Sequence, residues 1–385
     1  MKIASPQRPI RHDRQQGFSL VELMVAVTVG LILLGAVLAV FIANRGIYSS
    51  NKAVAQIQED GRFALSFLQH DVRMAGYMGC AEDTQLNSIL NVATNDYIYD
   101  FAEGITGYEA TNTGPSATYV LPATLAAATT GSFDAESDPN VPALSSSEVP
   151  FTTNGVGEPL QGSDFLVLRY ADSTPENVTQ VPSTQAANFK FYVSTPLSFV
   201  QPGQIGIITD CVKATLFQIT NTNGYTVVHN SGAGTPGNTT HVLGPQYGPG
   251  AELVVPDMMI YYIGLGVDGQ PALFRADLST ISSPGTLTLT PEELVANVEN
   301  MQILYGEDTT GNGTPNVYVT ADQVTDWTKV LSASIALLLQ SNAGEAQIPP
   351  TPQTFDLLGL TVQVPRDTRL RRVFTTSIAL RNRLP

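Results

Sequence analysis

The chain has 385 residues and a formal net charge of −15, with 43% hydrophobic and only 14% charged residues. The first 17 residues carry a charge of +3, which leaves −18 for the remainder. A body this acidic argues against a nucleic-acid partner, because binding a phosphate backbone requires clustered lysines and arginines. The length is sufficient for one large hydrophobic core.

The first element is an apolar run of 26 residues from Phe18 to Ala43. As a helix it would span about 39 Å, enough to cross a bilayer with some tilt. Basic residues precede it, so the positive-inside rule predicts a cytoplasmic N-terminus and an external body after Asn44. The competing interpretation is a cleavable secretory signal, whose cleavage site follows its apolar core. Here the small residue Gly17 precedes the run, so we expect the run to be retained.

One acid, Glu22, lies within this run, where an unpaired carboxylate costs a few kcal/mol. The stretch "GFSLVELMVA" (17–26) resembles the class III signal of type IV prepilins. The resemblance implies that a prepilin peptidase cuts between Gly17 and Phe18 and methylates the new N-terminus, making 1–17 a leader. The freed amine of Phe18 would then be a cation that Glu22 of a neighbouring helix can pair with. A plain membrane anchor with an acid near the interface is the alternative.

Beyond the membrane, apolar residues recur at helical spacing, which predicts that the helix continues. We therefore expect an assembly half at 18–43 and an amphipathic half at 44–79. Phe63 and Phe67 form an i,i+4 pair beside the apolar stripe. Glycines in "GYMGC" (76–80) are predicted to end the helix. The stripe comprises Ile47, Val54, Ile57, Gly61, Ala64, Leu68, Val72 and Ala75.

The remainder, 80–385, is predicted to be a β-rich head. Residues 82–160 are rich in small and turn-forming residues, which indicates an irregular surface insertion. "TPEELVANV" (290–298) predicts a short helix, with Thr290 as N-cap, Pro291 at the first position and Glu293 in a capping box. Strands, separated by turn residues as in an antiparallel meander, are predicted at 163–171, 189–193, 212–220, 252–264, 271–277, 301–306, 329–340 (a central strand) and 370–381.

These elements predict the α+β class, with a type IV pilin-like long N-terminal helix packed on a largely antiparallel β domain. The chain has two cysteines, Cys80 and Cys211. Since the head is expected outside the cytoplasm, a disulfide between them is the natural interpretation. It would tie the top of the helix to the sheet. Free or metal-binding thiols are the alternative, although no CxxC spacing supports a metal.

Later segments are similar to the PilW family of minor pilins. The resemblance implies a low-abundance pilin that helps to prime type IV pilus assembly and sits at or near the tip. Its implied partners are other minor pilins, the major pilin, an inner-membrane assembly platform, the prepilin peptidase and a tip adhesin. The segments that carry the resemblance are "DGRFALSFLQHDVRMAGYMGC", "ITDCVKATLFQIT", "VENMQILYGEDTTGNG", "DWTKVLSASIALLLQS" and "RRVFTTSIALRNRLP".

Two other functions stay open at this point. J-type pseudopilins of type II secretion have a similar plan, and a tip adhesin or receptor-binding module could use 82–160 as its contact surface. In the pilin interpretation the protein is first a single-pass protein of the bacterial inner membrane with a periplasmic head. After assembly it is part of the pilus at the cell surface.

No catalytic constellation is evident, so we expect neither an enzyme nor a cofactor. The GxGxxG matches at 264–269 and 232–237 lack the strand-then-helix context of a dinucleotide site. GxSxG and HExxH are absent, and the histidines after the leader have no metal-ligand spacing. "DTTGNGTPN" places Asp308, Thr310 and Asn312 at EF-hand-like positions, but Val319 stands at the twelfth. A polar turn is favoured there, with calcium as the alternative.

The C-terminal region is basic. Its arginines either meet the acidic surface of a neighbouring pilin or form a solvated strand face, where charge pairs are worth under about 1 kcal/mol. They are Arg366, Arg369, Arg371, Arg372, Arg381 and Arg383.

Overall fold

The computed structural model describes residues 17–80, 86–91, 99, 101, 103–138, 141, 155–171, 175–181, 190–196, 200–232, 234–281, 286–346 and 349–383. They form one long helix, α1 (Leu20–Met74), followed by a mostly antiparallel β domain. This confirms the predicted α+β class. The chain divides into two compact units, residues 1–52 and 53–385, and α1 contributes residues to both.

In the described part of the chain, α1 is followed by strands that build the head. In chain order they are β1 (Leu86–Ser88), β2 (Ile105–Tyr108), β3 (Thr118–Val120), β4 (Phe165–Ala171), β5 (Glu176–Gln180), β6 (Lys190–Val193), β7 (Ile205–Thr209), β8 (Ala214–Gln218), β9 (Asn221–Asn223), β10 (Thr226–Val228), β11 (Glu252–Val254), β12 (Pro256–Leu265), β13 (Pro271–Ile281), β14 (Thr286–Ala296), β15 (Val298–Glu307), β16 (Val317–Val319), β17 (Val330–Gln340), β18 (Gln353–Leu357), β19 (Leu360–Val364) and β20 (Arg371–Ala379). Short 3-10 helices lie at Thr130–Ser132, Ala321–Gln323, Trp327–Lys329 and Arg381–Arg383.

The strands form four sheets. A five-stranded sheet has the order β14-β13-β12-β4-β2, and a four-stranded sheet has the order β16-β15-β17-β20. An eight-stranded sheet has the order β1-β8-β7-β11-β5-β6-β10-β9, and a three-stranded sheet has the order β18-β19-β3. The pairs β1–β8 and β19–β3 are parallel, and the other pairs of described strands are antiparallel.

The second part of α1 packs its apolar stripe into the main core of the head. Ile57, Ala64, Leu68, Val72 and Ala75 are buried, as predicted. Val54 is 37% exposed, and Ala53 is buried in its place. One helical turn before Ile57, the residue on the same face of the helix is Ala53 and not Val54. The predicted stripe was therefore displaced by one residue at this turn. Ile47, which is 61% exposed, lies before the buried stripe.

Strand β17 is central in its sheet, as its nearly continuous apolar sequence predicts. It lies between β15 and β20, and all eleven of its residues are buried. Ile335 and Leu337 belong to the main core with α1, whereas Ala336 and Leu338 pack against β18 and β19 in a second core. Because both faces are covered, the strand shows no polar alternation. The eight-stranded sheet has a third core of its own, which includes Phe191 and Phe217.

The predicted helix at 290–298 is wrong, because these residues lie largely in β14 and pair with β13 in antiparallel register. Capping signals are local, and here the long pairing with β13 outweighs them. Pro291 is tolerated because β14 is an edge strand of its sheet. The Glu293 carboxylate accepts the backbone N–H of Val267 (2.8 Å), in the turn that follows β12, instead of closing a capping box.

The described residues of the predicted insertion at 82–160 include strands of three sheets. β2 is buried throughout and pairs with β4. β1 pairs with β8, and β3 pairs with β19. Strands of three or four residues are too short to produce a readable alternation of apolar and polar residues, and β2 also contains a glycine. The segment therefore contributes to the sheets, and its boundaries stay a prediction.

The helix ends against β2 and β4 through a close approach of backbones. Gly76 has a φ of +78°, and its N–H donates to the carbonyl of Arg169 (2.9 Å). The N–H of Arg169 in turn donates to the carbonyl of Gly104 (2.8 Å). A Cβ added to Gly104 would lie only 2.4 Å from the Cα of Gly76. This junction therefore requires the absence of a side chain at Gly104.

We predict that Gly104→Ala destabilises the head by about 1–3 kcal/mol, since the clash is with backbone and cannot be relieved by a rotamer change. The measurement is urea unfolding of the full-length protein in detergent, followed by the fluorescence of Trp327. Gly248→Ala is the matched control, because a Cβ there meets no atom within 4 Å. Equal unfolding midpoints for the two variants would contradict the prediction.

Candidate functional site

The start of α1 is fixed by Ser19. Its hydroxyl oxygen accepts the N–H of Glu22 (3.2 Å), and its carbonyl accepts the N–H of Leu23 (3.1 Å). Ser19 is therefore the N-cap, and Glu22 occupies the third helical position, where a carboxylate interacts favourably with the helix dipole. The S-x-x-E spacing of a capping box is the signal in the sequence that indicates this start, and the prediction above did not include it.

From Phe18 to Asn44 the chain presents an exposed apolar surface with a single ionisable side chain. Described residues 17–45 are all exposed, and the most apolar window of α1 has a mean hydropathy of 2.9. Among the described helices, this is the one long and apolar enough to cross a membrane. The hydroxyl of Thr28 donates to the carbonyls of Met24 (3.0 Å) and Val25 (2.9 Å). The hydroxyl of Thr28 is thereby satisfied within the helix. By sequence, Glu22 is the one charged side chain between Phe18 and Asn44.

Gly17 and Phe18 precede the first helical residue. Phe18 is 82% exposed, and a Cβ on Gly17 would meet no atom within 4 Å. The bond between them thus lies in exposed, non-helical chain, one residue before the N-cap. Residues 1–16 of the predicted leader lie outside the described residues.

A buried polar network joins the second part of α1 to the five-stranded sheet. The Asp71 carboxylate accepts the hydroxyls of Tyr170 (2.9 Å) and Tyr261, and it lies 3.7 Å from a guanidinium nitrogen of Arg275. Nδ1 of His70 is 2.7 Å from the same carboxylate. Burial, followed by the charge of Asp71, raises the pKa of Tyr261. Asp71 lies on the buried face of the helix between Leu68 and Val72. A charged residue at such a position indicates a buried polar contact, and the sequence prediction did not include it.

The structure joins Cys80 and Cys211 in the predicted disulfide, with a Cα–Cα distance of 4.8 Å. Cys211 lies in the turn between β7 and β8 and has a φ of +66°. The turn is held by Asp210, whose carboxylate accepts the N–H groups of Val212 (3.2 Å) and Lys213 (3.1 Å). The bond therefore ties the chain that follows α1 to the eight-stranded sheet.

Three of the C-terminal arginines form hydrogen bonds inside the head, and for Arg371, whose side chain is buried, both interpretations of its role were wrong. Arg371 is buried and pairs with Glu299 (2.6 Å) and Asp367 (2.7 Å). Arg369 donates to the carbonyl of Ser341 and to the side chain of Gln270, and Arg383 donates to the carbonyl of Trp327. Partners distant in sequence hold these residues, and an alternating strand pattern cannot reveal them. The alternatives for Arg366, Arg369, Arg372, Arg381 and Arg383 stay open.

The weak calcium candidate is a hydrogen-bonded turn between β15 and β16. The Asp308 carboxylate accepts the N–H groups of Thr310 (3.1 Å), Gly311 (2.7 Å) and Gly313 (2.7 Å), as well as the Thr310 hydroxyl. Asn312 accepts the N–H of Thr314 (2.9 Å). Both carboxylate oxygens are therefore already occupied by this chain. No group of three or more His, Cys, Asp or Glu side chains in the described residues is arranged to hold a metal ion.

The GxGxxG match at 264–269 covers the end of β12 and the hairpin turn that follows it. The turn connects β12 to β13, and Gly269 has a φ of +74°. The match at 232–237 lies between β10 and β11. Neither has a strand before it and a helix after it, which a dinucleotide site requires.

Comparison with known families matches both ends of the chain. Residues 12–38 match the prokaryotic N-terminal methylation motif, which together with the one long apolar helix points to a membrane-anchored pilin. Residues 260–382 match Type IV Pilus-assembly protein W. The two matches together support a type IV minor pilin of the PilW family, which is a structural pilin family. No curated protein matches the chain, and no solved structure matches it.

We predict that breaking the disulfide destabilises the head. The loop between the cysteines spans 131 residues, for which the chain-entropy model gives about 5 kcal/mol. Urea unfolding of the full-length protein with and without reductant measures the loss. The double variant Cys80→Ser/Cys211→Ser should unfold like the reduced protein and should not respond to reductant. An unchanged unfolding midpoint after complete reduction would contradict the prediction.

Proposed function

We propose that this protein is a minor pilin that helps to prime type IV pilus assembly and is incorporated at or near the pilus tip. The observation that carries the proposal is the single carboxylate of Glu22 in the first turn of an exposed apolar helix. The methylation-motif match over the same residues supports it. The match of 260–382 to the PilW family favours the pilus over a type II secretion fibre.

In the proposed mechanism, a prepilin peptidase cuts between Gly17 and Phe18 and methylates the new N-terminus. The resulting ammonium group lies one residue before the Ser19 cap, close to the first helical turn. In a membrane, isolated charges are costly, and a cation and an anion that pair remove much of that cost. When helices of several subunits bundle, the Glu22 carboxylate of one can pair with the Phe18 amine of its neighbour. The pairing would select subunits that have been processed.

The proposed partners of the exposed helix segment are the other minor pilins, the major pilin and the inner-membrane assembly platform. Before assembly, the protein would be anchored in the inner membrane with its head in the periplasm. The head would contact other minor pilins, and a tip adhesin is a further proposed partner. Arg371 is buried and bonded inside the head, which leaves these contacts to other residues.

The adhesin alternative needs a more careful test than removal of 82–160. That deletion would remove β2, which is buried in the five-stranded sheet. A loss of adhesion would then follow from loss of the fold as readily as from loss of a contact surface. Substitutions at exposed positions, such as Val120, separate the two effects.

We predict that the mature protein begins with N-methylated Phe18. Intact-mass measurement of protein purified from membranes checks this, since cleavage and methylation together fix one mass. Cells that lack prepilin peptidase activity provide the control and should yield the chain with its leader. A mature protein that retains residues 1–17 would contradict the proposed processing.

We predict that Glu22→Ala and Glu22→Val leave the protein in the membrane but reduce its incorporation and the number of surface pili. The lost carboxylate leaves the neighbour's amine unpaired, while the apolar surface that anchors the helix is retained. Immunoblots of membrane and sheared pilus fractions, with pilus counts, measure both effects. Thr28→Val is the matched control, because the Thr28 hydroxyl bonds only to Met24 and Val25 of its own helix in the structure. Normal piliation in both Glu22 variants would refute the role of Glu22.

A further inference from the structure

A cluster of carboxyl groups lies where residues 109–138 meet β15 and the 3-10 helix Ala321–Gln323. The backbone N–H of Asp134 donates to the carbonyl of Glu109 (3.0 Å), and that of Ser137 donates to the carbonyl of Asp322 (3.1 Å). We call this group the acidic cluster. Its members are Glu109, Asp134, Glu136, Asp138, Asp164 and Asp322, which interact electrostatically with one another.

Some members of the acidic cluster have the hydrogen bonds that an ionised carboxylate needs. Asp164 accepts the N–H of Ala110 (3.0 Å) with one oxygen and that of Ile303 (2.8 Å) with the other. Asp138 accepts the backbone N–H of Trp327 (3.3 Å). Backbone donors of this kind favour the charged form of Asp164, but its burial has the larger effect and raises the pKa of this carboxyl to about 7.

Glu109 and Glu136 lack comparable support. Glu109 is only 2% exposed, and its Oε1 accepts the hydroxyl of Thr113 (3.1 Å) while its Oε2 has no hydrogen-bond partner. Both carboxyl oxygens of Glu136 are buried without a partner. An ionised carboxylate in such a place carries a large desolvation cost, which protonation removes.

Besides burial, the neighbouring carboxylates also raise the pKa of Glu109 and Glu136. Burial raises the pKa of Glu109 most, and the charges of Asp164, Asp322 and Asp134 raise it further, while the Thr113 bond opposes them. Burial likewise raises the pKa of Glu136 to about 9, with added contributions from Asp322, Asp138, Asp164 and Asp134. The charged groups with the largest effects come from three separate elements, and all of them are carboxyl groups.

We propose that Glu109 and Glu136 are protonated in the folded head at neutral pH, so that folding takes up protons and a rise in pH loosens the head. In the unfolded chain both side chains ionise near the usual value of 4.5. Below that pH both states are protonated, and the groups do not affect stability. Above it the folded state holds more protons than the unfolded state, so stability falls with rising pH until the folded groups also ionise. For Glu136 that window extends from 4.5 to about 9.

The acidic cluster therefore makes the packing of residues 109–138 against their neighbours dependent on pH. At neutral pH the neutral side chains allow this segment to stay against Asp322 and Asp164. When Glu109 and Glu136 ionise, they add two charges to a group of carboxylates, and repulsion acts between segment 109–138 and the elements it rests on. The Ser137–Asp322 hydrogen bond joins the segment to the 3-10 helix and is the contact that this repulsion would strain.

The test is the pH dependence of unfolding of the full-length, disulfide-intact protein in detergent. Trp327, the one tryptophan of the chain, is buried beside Asp138 and reports on the cluster directly. In the linkage relation, each retained proton raises the unfolding constant about tenfold per pH unit. We expect a falling urea midpoint between about pH 5 and 9, and Glu109→Gln and Glu136→Gln should each lower the slope by about one proton and raise the midpoint at alkaline pH.

Glu59→Gln, at an exposed position on α1, is the matched control and should leave the slope unchanged. Either glutamine variant alone is sufficient, so that one poorly folding variant does not prevent the test. Slopes equal to the wild type in the folded glutamine variants would overturn the proposal. Added calcium that stabilises the wild type at alkaline pH, but neither glutamine variant, would also overturn it and indicate a cation site instead.

Discussion

The burial of one stripe of α1 in the main core is the constraint on which the head depends. From Ile57 to Ala75 the stripe supplies small and branched side chains that lie in the same core as residues of β4, β12 and β17. Small residues such as Ala64 and Gly61 let the helix approach the strands closely. A Cβ on Gly61 would lie about 2.5 Å from the ring of Phe374 in β20. Before Ala53, α1 has no comparable buried stripe among its described residues, and its apolar surface remains available to a membrane or to other helices.

The buried charged and titratable side chains of the head include two kinds, those whose polar atoms have partners and those with unpartnered oxygens. Asp71 and Arg371 are each surrounded by partners of opposite charge or by hydroxyl donors, and these bonds hold separate elements together. Removing one partner from such a group typically costs several kcal/mol. Glu109 and Glu136 instead have unpartnered oxygens and acidic neighbours, a condition that favours neutral side chains. The first kind of burial fixes the helix and β20, and the second makes the position of residues 109–138 depend on protons.

The sequence predicted those features that are carried by long or locally complete patterns. The apolar run of α1, its amphipathic continuation and the buried strand β17 each extend over at least ten residues, so their periodicity is readable. The cysteine pair could be predicted because the chain has only two. The helix expected at 290–298 failed because Thr290 and Pro291 supply a local start signal, while β13 supplies a longer competing pairing. Nothing local in "ITGY" distinguishes β2 from a loop, since its burial comes from β4.

The candidate site shows the same division. Glu22 could be singled out from the sequence because a charge in an apolar run is conspicuous without a structure. Asp71, Arg371 and the acidic cluster could not, because their partners lie up to 190 residues away along the chain, as for Asp71 and Tyr261. A carboxylate in a sequence gives no indication of whether a tyrosine, an arginine or another carboxylate will face it. A carboxyl group therefore has three different roles in this chain, and only its surroundings decide which. Glu22 is proposed to pair with a neighbouring subunit, Asp71 joins the helix to the sheet, and Glu109 is proposed to hold a proton at neutral pH.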